Sequence, residues 1–120
     1  MEMVGTRKLE TYEAIDMLSG LAQETRLRIF RELVKNHTPE ENSGGLPAGM
    51  LADALDIPSP TLSFHLKEMS RAGLVYSKKN GRSVIYNANL AAMNSLVNHL
   101  LEDCCGGACE LSLQNMRRNS

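Results

Sequence analysis

All three cysteines of the chain stand within the stretch CCGGACE, from Cys104 to Glu110. Thiolates are soft ligands and select soft acceptors. Gly106 and Gly107 let the backbone turn back after Cys105, so that Cys104, Cys105 and Cys109 can converge on one atom. Trivalent arsenic or antimony accepts three thiolates in a pyramid, with its lone pair in the remaining direction. A structural zinc site instead takes four protein ligands, and the fourth would have to come from His99 or Glu110. The same thiols suit a redox switch based on regulatory disulfides, or a thiol-dependent reductase. Reductase thiols, however, sit at a helix N-terminus, whereas these follow a helix C-terminus, where the dipole opposes thiolate formation. Simple packing is disfavoured by the polar setting of Asp103, two glycines and Glu110.

The remainder of the chain must position this cluster. Its 120 residues suit one compact domain, and 42% hydrophobic with 22% charged residues is the balance of a globular protein. The N-terminal MEMVGTRKLETYEA lacks the apolar stretch of a secretory signal, and no run approaches the length of a membrane helix. A cytoplasmic location with free thiols and no membrane contact is the expectation. Net charge is only −1, but from Ser59 to Tyr86 the bases Lys67, Arg71, Lys78, Lys79 and Arg82 face Glu68 alone. A nearly neutral chain thus holds a basic region suited to nucleic acid.

Leu9, Tyr12, Ile15 and Leu18 recur at helical spacing, and in ETRLRIFRELV the residues Leu27, Phe30 and Val34 share a face, so two helices open the chain. The stretch NHTPEENSGGLPAG reads as a loop that ends where Pro47 can start a helix. A short helix around MLADAL, the link Asp56, Ile57 and Pro58, and a helix over TLSFHLKEMSRAG form a helix-turn-helix. Ser59 and Pro60 read as N-cap and first turn, and Gly73 as the stop. Asn80 and Gly81 within SKKNGRSVIYN signal a β-hairpin tipped with positive charge, which is a wing. In the last helix, Leu90, Met93, Val97 and Leu100 form a stripe widened by Leu96 and Leu101, and a terminal helix so apolar needs a partner.

The second helix of such a motif enters the major groove of double-stranded DNA. With Leu62, Leu66 and Met69 facing inward, the candidates for DNA contact are Ser59, Thr61, Ser63, Phe64, His65 and Lys67, with Lys78, Lys79 and Arg82 on the wing. The fold expected is mainly α with a β-hairpin. A winged helix-turn-helix DNA-binding and dimerisation domain would cover 1–103, and a cysteine-containing tail 104–120. A sulfur-rich metal carrier without DNA function would leave the helix-turn-helix and wing unexplained.

Over roughly residues 10–105 the chain resembles the ArsR/SmtB family of metal-responsive repressors, through AQETRLRIFREL, SPTLSFHLKEMSRAGLV and GRSVIYNA. The resemblance implies a homodimer joined by its first and last helices, here through Leu9, Tyr12, Leu90, Met93, Val97 and Leu100. It also implies that each subunit reads half of an inverted-repeat operator and that the effector lowers operator affinity. Where many arsenic and cadmium sensors of the family carry a C-x-C pair, this chain has GLPAGML, with Pro47 and Gly49 in place of the thiols. The family's zinc site on the last helix uses carboxylate and histidine pairs, and His99 has no spaced partner histidine. C-C-G-G resembles instead the subgroup of arsenite-responsive repressors with a C-terminal site. That likeness assigns Cys104, Cys105 and Cys109 to As(III) or Sb(III) as inducer, with a redox-sensing or divalent-metal-sensing repressor as the alternative.

Overall fold

A computed structural model describes residues 8–38 and 44–102. Among these residues five helices and three short strands follow in the order α1 (Thr11–Leu21), α2 (Glu24–Lys35), β1 (Leu46–Pro47), α3 (Ala48–Leu55), α4 (Ser59–Arg71), β2 (Val75–Asn80), β3 (Ser83–Ala88) and α5 (Leu90–Leu101). The fold is mainly helical with a small antiparallel sheet of order β1-β3-β2. The helices enclose a core of Ile29, Leu33, Leu51, Leu62, Leu66, Met69 and Leu74, all essentially without solvent contact.

The helix-turn-helix is closed by local backbone chemistry. At the end of α3, Asp56 adopts left-handed angles (φ 57°, ψ 49°), and Ile57 N donates to Ala52 O at 3.0 Å. Asp56 N donates to Asp53 O at 3.3 Å, completing the paired bonds of a Schellman stop. Ile57 then tucks into the core, which sets the angle at which the chain enters α4. The same device ends α4: Leu74 N donates to Met69 O and Gly73 N to Ser70 O, with Gly73 at φ 83°. The expected three-residue link of Asp56, Ile57 and Pro58 is present, but the cap lies one residue earlier than expected. Pro58 is the N-cap, so Ser59 and Pro60 are already helical.

Several expectations need correction. Leu46 and Pro47 are not loop and helix start; they pair with Tyr86 and Ile85 as a third strand, and Pro47 is the N-cap of α3. Edge position tolerates a proline, which has no N–H to give a further strand. The chain reaches this edge through Gly45, whose φ is +86° and where a Cβ would stand 2.6 Å from Tyr86 O and 2.7 Å from Asn87 Oδ1. In the wing, Asn80 pairs with Ser83, so the two-residue loop is Gly81-Arg82 rather than Asn80-Gly81. Gly81 alone of the two has positive φ, the pattern of a II′ hairpin. Register thus moves Arg82 to the tip.

The helix faces also differ from the expected ones. On α2 the buried residues are Ile29, Phe30 and Leu33, while Leu27 and Val34 are exposed. On α1 the core takes Ala14, Met17 and Gly20, leaving Tyr12, Ile15 and Leu18 in solvent. Leu9, expected on the dimer face, is only 5% exposed and belongs to the core of its own protomer. Leu90 and Met93 are half-buried against that core, and Val97 is half-buried, whereas Leu100 is exposed. Helix α5 ends at Leu101, and Glu102 has extended angles (φ −63°, ψ 148°).

Candidate nucleic-acid interface

The outward side of α4 carries Ser59, Thr61, Ser63, Phe64 and Lys67, all exposed, and Phe64 lies more than half in solvent. Lys78, Lys79 and Arg82 are exposed along the β2–β3 hairpin. The nearest acid, Glu68, is taken by Arg71 at 3.2 Å, while Lys67, Lys78, Lys79 and Arg82 pair with no acid among the described residues. Helix and hairpin therefore offer hydroxyls, one aromatic ring and uncompensated positive charge, a set suited to phosphate and base edges.

His65 does not join this surface. It is 7% exposed because it lies three residues after Leu62 and four before Met69, on the inward stripe of the helix. A histidine there needs a polar partner. Arg26, in the first turn of α2, supplies it: Arg26 Nε donates to His65 Nδ1 at 3.0 Å. With Nδ1 accepting, the ring is neutral and its proton sits on Nε2. Burial first, and the adjacent Arg26 guanidinium second, hold the imidazole below its ordinary value of 6.5. The guanidinium carbon of Arg26 lies 5.9 Å from the Phe64 ring centroid, and the Phe64 and His65 rings meet edge to face. Two residues on, Arg28 Nη2 donates to Leu55 O at 2.9 Å and so caps the last turn of α3. Two arginines of α2 thus grip both helices of the motif.

Asn89 ties the far end. Its Oδ1 accepts from Ala92 N at 3.1 Å as the cap of α5, its Nδ2 donates to Gly73 O at 3.2 Å, and its backbone N donates to Leu74 O at 2.9 Å. The end of α4, the close of the wing and the start of α5 meet at one side chain. Neither Asn89 nor Arg26 stood out in the sequence, since an asparagine before a helix and an arginine within one are ordinary.

Cys104, Cys105 and Cys109 lie outside the described residues. Among the described residues no group of three or more His, Cys, Asp or Glu is arranged to hold a metal ion. No helix among them is long and apolar enough to cross a membrane.

A helix-turn-helix followed by a charged hairpin defines a winged-helix transcriptional regulator. Comparison with known proteins agrees. The model of a helix-turn-helix domain family matches residues 21–76. An uncharacterised HTH-type transcriptional regulator of Methanocaldococcus jannaschii is 32% identical over 74 residues, covering 61% of this chain and 75% of that protein. The HTH-type transcriptional repressor SmtB of Mycobacterium tuberculosis is 47% identical over 71 residues, covering 59% of this chain and 47% of its own. Among solved structures, an ArsR-like transcriptional regulator from Rhodococcus superposes with a TM-score of 0.65 at 29% identity, covering 74% of this chain and 76% of that one. The chain belongs to the ArsR/SmtB family of winged helix-turn-helix transcriptional regulators. Its relatives are regulators, not enzymes.

Proposed function

We propose that the protein is an inducible repressor that binds operator DNA as a homodimer and releases it when trivalent arsenic or antimony is captured by Cys104, Cys105 and Cys109. The observation that carries the DNA reading is the exposure of Ser59, Thr61, Ser63, Phe64 and Lys67 on α4 together with that of Lys78, Lys79 and Arg82 on the hairpin, cations that pair with no acid among the described residues. In this reading α4 lies in the major groove, with the hydroxyls near base edges and the wing cations on phosphates. His65 supports α4 from behind. Tyr12, Ile15 and Leu18 with Leu100 present the apolar area that a second subunit would cover, Tyr12 being 67% exposed. The repressor sense follows the SmtB relative.

The inducer rests on the sequence of CCGGACE. Three thiols in that span fit a three-coordinate soft acceptor better than a four-coordinate zinc. Arsenite reaches the site as neutral arsenous acid, so each thiol proton leaves with one arsenic-bound hydroxide as water, and capture near neutral pH releases no net proton. Linkage requires that whatever factor the metalloid takes from DNA affinity, DNA takes from metalloid affinity.

The test is release of a fluorescent duplex, taken from the promoter of the protein's own gene, on titration with arsenite under reducing conditions. Cys104→Ser and Cys109→Ser are measured in parallel. Release by the native protein alone supports the reading. Tight DNA binding that arsenite leaves untouched would remove the metalloid and keep the repressor, turning attention to divalent metals and oxidants.

A further inference from the structure

The recognition surface has a member that α4 does not supply. Arg26 reaches it from the first turn of α2, held at its Nε. Its Nε is fixed on His65 Nδ1 at 3.0 Å, and its guanidinium carbon is 5.9 Å from the exposed ring of Phe64. Arg26 is half-buried, and its two Nη groups have no partner among the described residues. A guanidinium normally loses side-chain entropy when it binds a phosphate; one already clamped loses less. The first turn of α2 lies at the same place, and it carries Glu24 beside the partial positive charge of the helix start.

From this geometry we infer that Arg26 is a DNA phosphate ligand, its Nη groups aimed at the backbone flanking the half-site, and that His65 is its positioning residue. The inference rests on the operator-binding reading and extends it to α2. It also gives the buried histidine a role in DNA binding that does not involve touching a base. A phosphate contact carries no sequence information, so the contribution of Arg26 is to affinity and register rather than base choice.

The chain offers a clean substitution. Glutamine places Nε2 the same number of bonds from Cα as the Nε of arginine, so Arg26→Gln keeps the donor to His65 while removing the charge and both Nη groups. His65→Asn puts Oδ1 where Nδ1 stood and keeps the acceptor, whereas His65→Leu removes it. Binding is read by fluorescence anisotropy on a duplex that the native full-length protein itself enriches from a random-sequence pool, across about 50 to 200 mM salt. Arg26→Gln is expected to lower the slope of log affinity against log salt by about 0.9 per protomer, about 1.8 for the dimer, so that it loses about 12-fold less affinity across that range. Its base preference and thermal midpoint stay native. His65→Leu is expected to weaken binding and His65→Asn to restore it. An unchanged slope in Arg26→Gln overturns the inference, as does a loss of affinity that only tracks a lower thermal midpoint. If the native protein enriches no duplex, the operator reading itself fails and takes this inference with it; if it does and only the variants disappoint, the failure belongs to Arg26 alone.

Discussion

Replacing glycine by alanine should have opposite effects at two positions four residues apart. At Gly45 the backbone is left-handed (φ +86°), and an added Cβ would meet Tyr86 O at 2.6 Å and Asn87 Oδ1 at 2.7 Å. The conformation costs an L-residue about 1–2 kcal/mol, and crowding against a backbone oxygen adds about 1–3 kcal/mol. The chain has an escape, which is to let β1 leave the sheet. That forfeits the pairs Leu46↔Tyr86 and Pro47↔Ile85 and the half-burial of Leu46. Backbone bonds at about 1 kcal/mol each and about half the burial of a leucine put the escape at about 2–3 kcal/mol. The molecule takes the cheaper route, so Gly45→Ala should cost about 2–3 kcal/mol. At Gly49, in the first turn of α3, no atom lies within 4 Å of the added Cβ and φ is ordinary. There alanine should stabilise by about 0.5–1 kcal/mol through the backbone entropy of the unfolded chain.

Urea unfolding followed by circular dichroism separates the two. With a slope of about 1.5 kcal/mol per molar, Gly45→Ala lowers the midpoint by about 1.3–2 M and Gly49→Ala raises it by a few tenths. A Gly45→Ala midpoint within about 0.3 M of native, a difference of about 0.5 kcal/mol, would refute the close approach of the chain to β3. A lowered Gly49→Ala midpoint would refute the open setting of α3.

Asp56→Gly should raise stability by about 0.5–1 kcal/mol in the same urea assay, because only glycine adopts the left-handed angles at this stop without strain. Asn89→Ala should lower it by about 1–3 kcal/mol through loss of the α5 cap and of the bond to Gly73 O; a change under about 0.5 kcal/mol would exclude the joint. His65 is held below 6.5 in the folded chain, so the unfolded chain binds more protons and stability must fall as pH drops from 6.5 towards the lower native value. Comparing urea midpoints of native protein and His65→Asn between pH 7.5 and 5.5 should show that the variant loses this part of the slope, and equal slopes would contradict it. Arg82→Ala, at the hairpin tip, should flatten the salt dependence of binding to any duplex; an unchanged slope would remove the wing from the interface.

The elements were legible wherever one signal dominated. Two turns with obligatory chemistry, the stop before Pro58 and the hairpin glycine, fix the helix-turn-helix and wing. Faces were less legible because α1 and α2 are apolar on two sides. Leu27, Phe30 and Val34 form one plausible stripe and Ile29, Phe30 and Leu33 another, and only the neighbours of α2 select the second. Pairing of β1 depends on residues about 40 positions away in the chain, and a two-residue strand ending in proline carries no periodic signal of its own. The wing register moved because Asn-Gly and Gly-Arg are both good hairpin loops, and the alignment of Val75 with Ala88 decides between them.

The site teaches a narrower lesson about polar residues on apolar stripes. His65 is three residues from Leu62 and four from Met69, so helical spacing alone places it inside, yet its chemistry invited an outward reading. Its burial then demands a donor, and that demand locates Arg26, which spacing within α2 cannot single out from Arg28 or Arg31. A buried acceptor on α4 therefore identifies the cation that α2 brings to it. For Arg26 to serve as a rigid cation at this edge, His65 must accept rather than donate, and the burial and charge that depress its protonation hold it in that form.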